Sequence, residues 1–98
     1  MSTSDSNMQL IGTVLITFPR KQCVGITAEK AGFSRGAQLV FRTDASGKGD
    51  ITITASSLEI NRTPVGEISI GNTFAVKMPG PLSEYPAVTK GIQVFLKN

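Results

Sequence analysis

The sequence contains no histidine, no tryptophan and a single cysteine, Cys23. Histidine is the only side chain that titrates near neutrality unperturbed, so its absence removes every Ser-His, Cys-His and His-metal arrangement. One cysteine can form neither a Cys₄ zinc site nor an intramolecular disulfide. We therefore expect no catalytic residues, no metal ligands and no cofactor in this chain, and we do not expect it to be an enzyme.

Long apolar runs are also missing. The longest, such as residues 14–16, are far too short to cross a bilayer, and the N-terminus lacks the pattern of a signal peptide. Small secreted domains usually depend on disulfides, which this chain cannot form. These absences favour a soluble protein of a reducing, cytoplasmic compartment, or a component of a virion or other assembly, over a secreted monomer.

The sequence is instead rich in β-branched residues, with ten Thr, nine Ile and seven Val among 98 residues. Such residues favour pleated, half-buried surfaces, and a chain of this length has room for one core. The composition predicts a single all-β domain, a small β-sandwich or β-barrel of about six to eight short antiparallel strands. We assign the domain to residues 9–98 and a flexible N-terminal arm to the polar residues 1–8.

Alternation of apolar and polar residues gives the approximate strand positions. The run at 10–18 alternates Thr13, Leu15 and Thr17 with Val14, Ile16 and Phe18, as expected when one face is more deeply buried. A hairpin is predicted at 37–55, one helical turn at 28–31 and a rigid proline loop at 78–86. The remaining predicted strands are 23–27, 57–61, 65–70, 73–78 and 91–97.

Binding by shape is the function that these features favour. We predict a non-enzymatic binding or structural module, a subunit or accessory protein of a larger assembly (virion, phage or pilus-like), acting through protein–protein contacts that include homo-oligomerisation. The strands at 10–18 and 91–97 are predicted edges available for β-augmentation. Aromatic, Met and Arg side chains are enriched at interfaces, and the predicted contact residues are Met8, Leu10, Phe33, Arg35, Leu82 and Tyr85.

Single-stranded nucleic acid is the alternative partner, because small basic β-barrels bind it with cations and exposed aromatic rings. The net charge is +3, although the cations are scattered along the chain and interleaved with acids. Phe33 and Tyr85 are the rings predicted to be exposed. The candidate cations are Arg20, Lys21, Arg35, Arg42 and Lys48.

The hairpin loop at 44–49 offers a minor alternative. Asp44, Ser46 and Gly49 form the pattern DxSxxG, which resembles the second motif of PilZ domains, β-barrels that bind cyclic di-GMP. The resemblance implies a cyclic di-GMP site at these three residues. PilZ domains also carry an upstream RxxxR motif whose guanidinium groups hold the phosphates and guanine bases, whereas here Arg20 is followed four positions later by Val24.

Overall fold

The computed structural model of the chain describes residues 8–97. Ten strands account for most of the regular structure, joined by turns and by two single-turn 3₁₀ helices, Pro19–Lys21 and Leu82–Glu84. The strands are β1 (Met8–Phe18), β2 (Cys23–Ala28), β3 (Phe33–Ser34), β4 (Gln38–Arg42), β5 (Ile51–Thr54), β6 (Leu58–Ile60), β7 (Thr63–Pro64), β8 (Glu67–Ile68), β9 (Thr73–Lys77) and β10 (Gln93–Lys97). No helix in this part of the chain is long and apolar enough to span a membrane.

Eight of these strands form one curled antiparallel sheet in the order β5-β4-β10-β1-β2-β9-β6-β7. A separate ribbon pairs β3 with β8, placing Phe33 opposite Ile68. The predicted all-β fold, barrel-like or sandwich-like, is confirmed. The hairpin predicted at 37–55 is β4 and β5, which pair from Gln38 opposite Thr54 to Phe41 opposite Ile51.

Two bulges in β1 bend the sheet. Against β10, Leu10 pairs with Phe95 and Gly12 with Val94, so Ile11 is an extra residue. Against β2, Val14 pairs with Ile26 and Ile16 with Gly25, so Leu15 is extra. An added residue bends a strand and increases its twist, which lets β1 serve both halves of the curled sheet.

The core fills the inside of this curl. Fully buried side chains come from β1, β2, β4, β6, β9 and β10, and the largest are Phe41, Ile11, Ile26, Leu39 and Leu58. Phe33 joins this core through an edge-on contact with Phe74, with ring centroids 5.3 Å apart. The predicted proline loop at 78–86 also contributes, because Met78 is buried in the same cluster and Leu82 and Tyr85 pack against it.

Three local predictions are wrong. Residues 28–31 form no helical turn: β2 runs to Ala28, and Glu29 and Lys30 then form a bend in which both amides donate to the carbonyl oxygen of Ile11 at 2.8 Å. The strand predicted at 65–70 shrinks to β8, and Ile70 is 63% exposed in the following turn. The predicted edge strands are central instead, since β1 lies between β10 and β2, and β10 between β4 and β1.

The boundary of the predicted arm also changes. Met8 belongs to β1 and pairs with Lys97 at the other end of the described chain. The rest of the predicted arm, residues 1–7, lies outside the described residues.

Candidate functional site

The outer face of β1, β2, β9 and β6 carries two rows of laterally paired residues. Antiparallel pairing places partners on the same face of a sheet. In one row Ile16 pairs with Gly25, Gly25 with Ala75 and Ala75 with Glu59. In the adjacent row Phe18 pairs with Cys23 and Cys23 with Lys77. The opposite face of the same strands carries Val24, Val76 and Leu58, which are buried.

Apolar side chains are unusually exposed on this outer face. Ile16 is 51% exposed and Phe18 is 38% exposed, and the neighbouring Leu15 is 42% exposed. Both Ile16 and Phe18 lean over Gly25, where an added Cβ would lie 2.9 Å from the Ile16 methyl carbon and 3.6 Å from the Phe18 ring. Because Gly25 has no side chain, Ile16 and Phe18 can pack over its backbone.

Two shallow depressions, of about 410 and 310 Å³, cover the same surface. They share Lys21, Cys23, Glu59, Arg62 and Ala75, and one of them extends to Ile16 and Phe18. We call this surface the Phe18 face. Its members are Ile16, Phe18, Lys21, Cys23, Gly25, Glu59, Arg62, Ala75 and Lys77.

Charge on the Phe18 face is predominantly positive. Lys21, Arg62 and Lys77 line the depressions together with one acid, Glu59. The single ion pair within 4 Å among residues 8–97 is Arg42–Asp50, so none of these three cations is neutralised by a direct contact of that kind. The apolar centre is therefore bordered by cations that a negatively charged partner can approach.

Left-handed backbone conformations occur at both turns that border this face. Gln22, Asn61 and Arg62 have φ values of 56°, 51° and 66° and are the non-glycine residues with positive φ between residues 8 and 97. Asn61 and Arg62 form the two-residue loop between Ile60 and Thr63, which pair with each other. A tight hairpin of this kind requires positive φ at both loop positions, and glycine is preferred at the second. Arg62 occupies that second position.

Cys23 lies in the floor of this surface. Its Sγ donates to the carbonyl oxygen of Lys21 at 3.2 Å. Partial burial, reinforced by the charge of Glu59, raises the pKa of the Cys23 thiol despite the opposing effect of Lys77 and Lys21. A nucleophilic cysteine needs a lowered pKa. The thiol of Cys23 is therefore protonated at neutral pH.

Comparison with known proteins reveals a shared fold. No protein family and no curated protein matches this sequence. The C-terminal domain of a U32 peptidase-like protein of Geobacillus thermoleovorans superposes with a TM-score of 0.69 and 13% identity, over 100% of this chain and 99% of that domain. The selenomethionine variant of the same domain gives a TM-score of 0.67 and 13% identity, over 91% of this chain and 99% of that one. At this identity the similarity concerns the fold alone.

Most of the residues predicted to form protein contacts are buried or half-buried. Phe33, predicted to be exposed, is only 9% exposed because its ring packs on Phe74. Leu82 and Tyr85 are half-buried and pack against the core. Met8 and Leu10 are half-buried within β1, paired with Lys97 and Phe95 of β10. Arg35 is exposed.

The candidate nucleic-acid residues occur at three places: Arg20 and Lys21 in the 3₁₀ turn after β1, Arg42 and Lys48 at the β4–β5 hairpin, and Arg35 after β3. Arg42 forms a two-point contact with Asp50, at 3.2 and 3.0 Å, and lies 4.9 Å from the centre of the Phe95 ring. Arg20, Lys21, Arg35 and Lys48 are exposed. Of the five predicted cations, only Lys21 lines the Phe18 face.

The DxSxxG loop is a compact turn. Asp44 Oδ1 accepts hydrogen bonds from the amides of Ser46 and Gly47, at 2.9 and 3.0 Å, and from the Ser46 hydroxyl. Ser46 Oγ in turn accepts from the amide of Lys48 at 3.1 Å. The hydrogen bond from Ser46 lowers the pKa of Asp44. The polar groups predicted to bind cyclic di-GMP are used within the loop itself, as a hairpin turn requires.

The Phe18 face was not predicted from the sequence. Alternation predicts that Phe18 and Ile16 share the face of Val14, which is buried. The bulge at Leu15 shifts the phase, so that Ile16 and Phe18 point outward. The sequence carries turn signals at both bordering turns, the basic turn at 20–22 after Pro19 and the run Asn-Arg-Thr-Pro at 61–64, but their proximity to each other depends on strand order.

Proposed function

We propose that this chain is a non-catalytic binding domain that docks a protein partner on the Phe18 face. The observation that carries the proposal is the exposure of Ile16 and Phe18 on a rigid sheet, inside a border of cations. Contiguous exposed apolar surface with a polar rim is characteristic of interaction sites. The raised pKa of Cys23 supports the absence of thiol chemistry at this surface.

The charge of the face defines the chemistry of the partner. Lys21, Arg62 and Lys77 outnumber Glu59, so the complementary surface is an apolar anchor flanked by carboxylates. A second copy of this chain fits poorly, because a twofold axis through the face would place these cations opposite their own images. The apolar centre is largely aliphatic and contains one ring, which suits a protein side chain better than a series of stacked bases.

A role as an accessory domain agrees with the comparisons. The Geobacillus thermoleovorans domain of the same fold is the C-terminal part of a larger protein. A fold does not specify a function, so this similarity shows only that a domain of this fold can form part of a larger protein, and it names no partner. The proposed role for this chain is therefore recruitment, in which the Phe18 face attaches an acidic and apolar protein segment to a larger assembly.

The proposal is tested with a labelled hexapeptide, Asp-Glu-Leu-Phe-Glu-Asp, titrated into the ¹⁵N-labelled protein at low salt. We expect NMR shift changes confined to residues of the Phe18 face and a fluorescence anisotropy change that saturates. Phe18→Ser should weaken binding by about tenfold or more, because it removes the apolar contact. Replacing the acids of the peptide with Asn and Gln should weaken binding by a similar factor.

Ile70→Ser is the matched control, since Ile70 is equally apolar and 63% exposed but lies outside the face. It should bind the peptide as the unaltered chain does. Equal losses in both variants, or shift changes spread over the molecule, would overturn the proposal. A labelled oligothymidylate of twenty nucleotides is titrated in parallel; binding of the oligonucleotide at the Phe18 face without binding of the peptide would assign the face to nucleic acid and refute a protein partner.

A further inference from the structure

The two edge strands of the eight-stranded sheet, β7 and β5, differ in how well they are protected against pairing with another strand. β7 is two residues long and ends in Pro64, which has no amide hydrogen to offer a partner strand. β5 at the other edge is the four-residue run Ile-Thr-Ile-Thr and pairs with β4 alone among the strands of residues 8–97. It contains no proline, charge or bulge, the usual devices that prevent edge pairing.

The hydrogen-bonding groups of β5 divide between its two sides. The amide of Ala55 donates to Ala37, and the carbonyl of Ala55 accepts from Gly36, both at 2.8 Å and both towards the β4 side. Successive residues of a strand point these groups in opposite directions. The backbone amides and carbonyls of residues 51 and 53 therefore point towards β4. The amide and carbonyl of Thr52 and the amide of Thr54 point away from β4, towards the free side of the strand.

Open space borders the outward side of β5. A depression of about 500 Å³ is lined by residues 52–54, 56 and 57 on one side and by residues 77–79 on the other. The two sides of the depression are joined at one point, where the amide of Lys77 donates to the carbonyl oxygen of Ser57 at 3.2 Å. No described strand fills this seam, so the edge of β5 is accessible to a strand from outside.

We infer that β5 pairs with β5 of a second copy of this chain, joining two sheets edge to edge. The occupant is a second copy because the edge is self-complementary. Thr52 and Thr54 present exposed hydroxyls and outward peptide groups, while Ile53 is buried on the core side. Two such strands related by a twofold axis pair without bringing β5 charges together, and Thr–Thr pairs across strands are favourable. No residue of β5 belongs to the Phe18 face, although Lys77 borders both that face and the depression beside β5. The inference does not depend on the proposed function.

A four-residue edge predicts weak self-association, because interfaces smaller than about 1,200 Å² are typical of transient complexes. In sedimentation equilibrium between about 10 µM and 1 mM, the weight-average mass should rise from 10.4 kDa towards twice that value. Thr52→Pro should remain monomeric over this range, because it removes an outward amide. Phe18→Ser should dimerise as the unaltered chain does.

Because proline can also perturb β5 itself, a charge-exchange pair provides a second test. A variant with Thr52→Lys and Thr54→Lys, and another with Thr52→Glu and Thr54→Glu, should each be monomeric alone. Their equimolar mixture should dimerise at low salt and dissociate as salt is raised. A monomeric unaltered chain at 1 mM, a dimer that survives every β5 variant, or a dimer abolished by Phe18→Ser would each overturn the inference.

Discussion

Arg62 combines an unfavourable backbone conformation with a position on the proposed binding surface. Its φ of 66° is the left-handed region that favours glycine, and a side chain there costs about 1–2 kcal/mol. Strained residues concentrate at functional sites when the surrounding structure enforces them. An arginine at the glycine position of this hairpin loop is consistent with a side chain used for binding.

Replacing Arg62 with glycine should therefore separate stability from binding. We expect Arg62→Gly to raise the free energy of unfolding by about 0.5–1 kcal/mol, or about 3–6 °C in melting temperature, once the greater freedom of unfolded glycine is allowed for. The same variant should weaken binding of the acidic peptide. Urea unfolding and fluorescence anisotropy measure the two effects.

Asn61→Gly is the matched control at the preceding position. Asparagine adopts the left-handed conformation at lower cost than other side chains, so this change should stabilise the chain by less than Arg62→Gly does. Asn61 also lines the depression beside Phe18, but its replacement removes no charge, so it should weaken peptide binding less than Arg62→Gly does. A loss of stability in Arg62→Gly would show that the arginine side chain contributes contacts that outweigh the backbone strain.

Individual exposures were the least predictable property of this sequence. Phe33 is flanked by Gly32 and Ser34 and has the sequence context of an exposed loop, yet the β3–β8 ribbon places it in the core. Phe18 has the context of a core strand residue, yet it is exposed. Phe33 is buried by contacts with the distant Phe74 and Ile68, and Phe18 is turned outward by the bulge of β1 against β2. Alternation along the sequence shows neither effect.

At the scale of elements, the predictable parts are those whose causes are local. The hairpin of β4 and β5 follows from alternation on both sides of a loop rich in Asp, Ser and Gly, and the structure has it at the expected place. The bulges of β1 were not predicted, because a bulge leaves no mark in the composition of its own strand. The bulge at Leu15 alone accounts for the unexpected orientation of Ile16 and Phe18.

Gly12 lies where β1 changes from one partner to the other. It pairs with Val94 of β10 and with Ala28 of β2, and a Cβ on it would overlap the carbonyl oxygen of Thr27. Because the obstructing atom belongs to the backbone, it cannot move away as a flexible side chain does. We expect Gly12→Ala to lower the free energy of unfolding by about 3 kcal/mol, measured by urea denaturation.

Gly66→Ala is the control for the general effect of replacing glycine. Gly66 has no heavy atom within 4 Å of an added Cβ and no positive φ, so alanine fits there without displacement. This variant should unfold within about 0.5 kcal/mol of the unaltered chain or be slightly more stable. Similar losses at both positions would show that the approach of Thr27 is not what requires glycine at residue 12.

At the scale of the whole molecule, β10 joins the two halves of the sheet. The hairpin of β4 and β5 lies on one side of it, and β1, β2, β9, β6 and β7 lie on the other. Its residues pair with both neighbours along most of its length, and Val94 is fully buried. The last strand of the described chain is therefore needed before the two halves can enclose a common core.

A chain that lacks residues 93–98 should consequently be unable to fold. The deletion removes two ladders of strand pairing and the buried Val94, and domains of this size are stable by only about 5–15 kcal/mol. We expect the loss of the sheet signal in far-UV circular dichroism and of a cooperative urea transition.

The double variant Gln93→Ala and Lys97→Ala, which changes two exposed side chains of the same strand, should unfold cooperatively near the original midpoint. A truncated chain that retained a cooperative transition would show that the β1–β2–β9 half forms a stable domain alone, because the strands on that side then enclose enough core without β4 and β5.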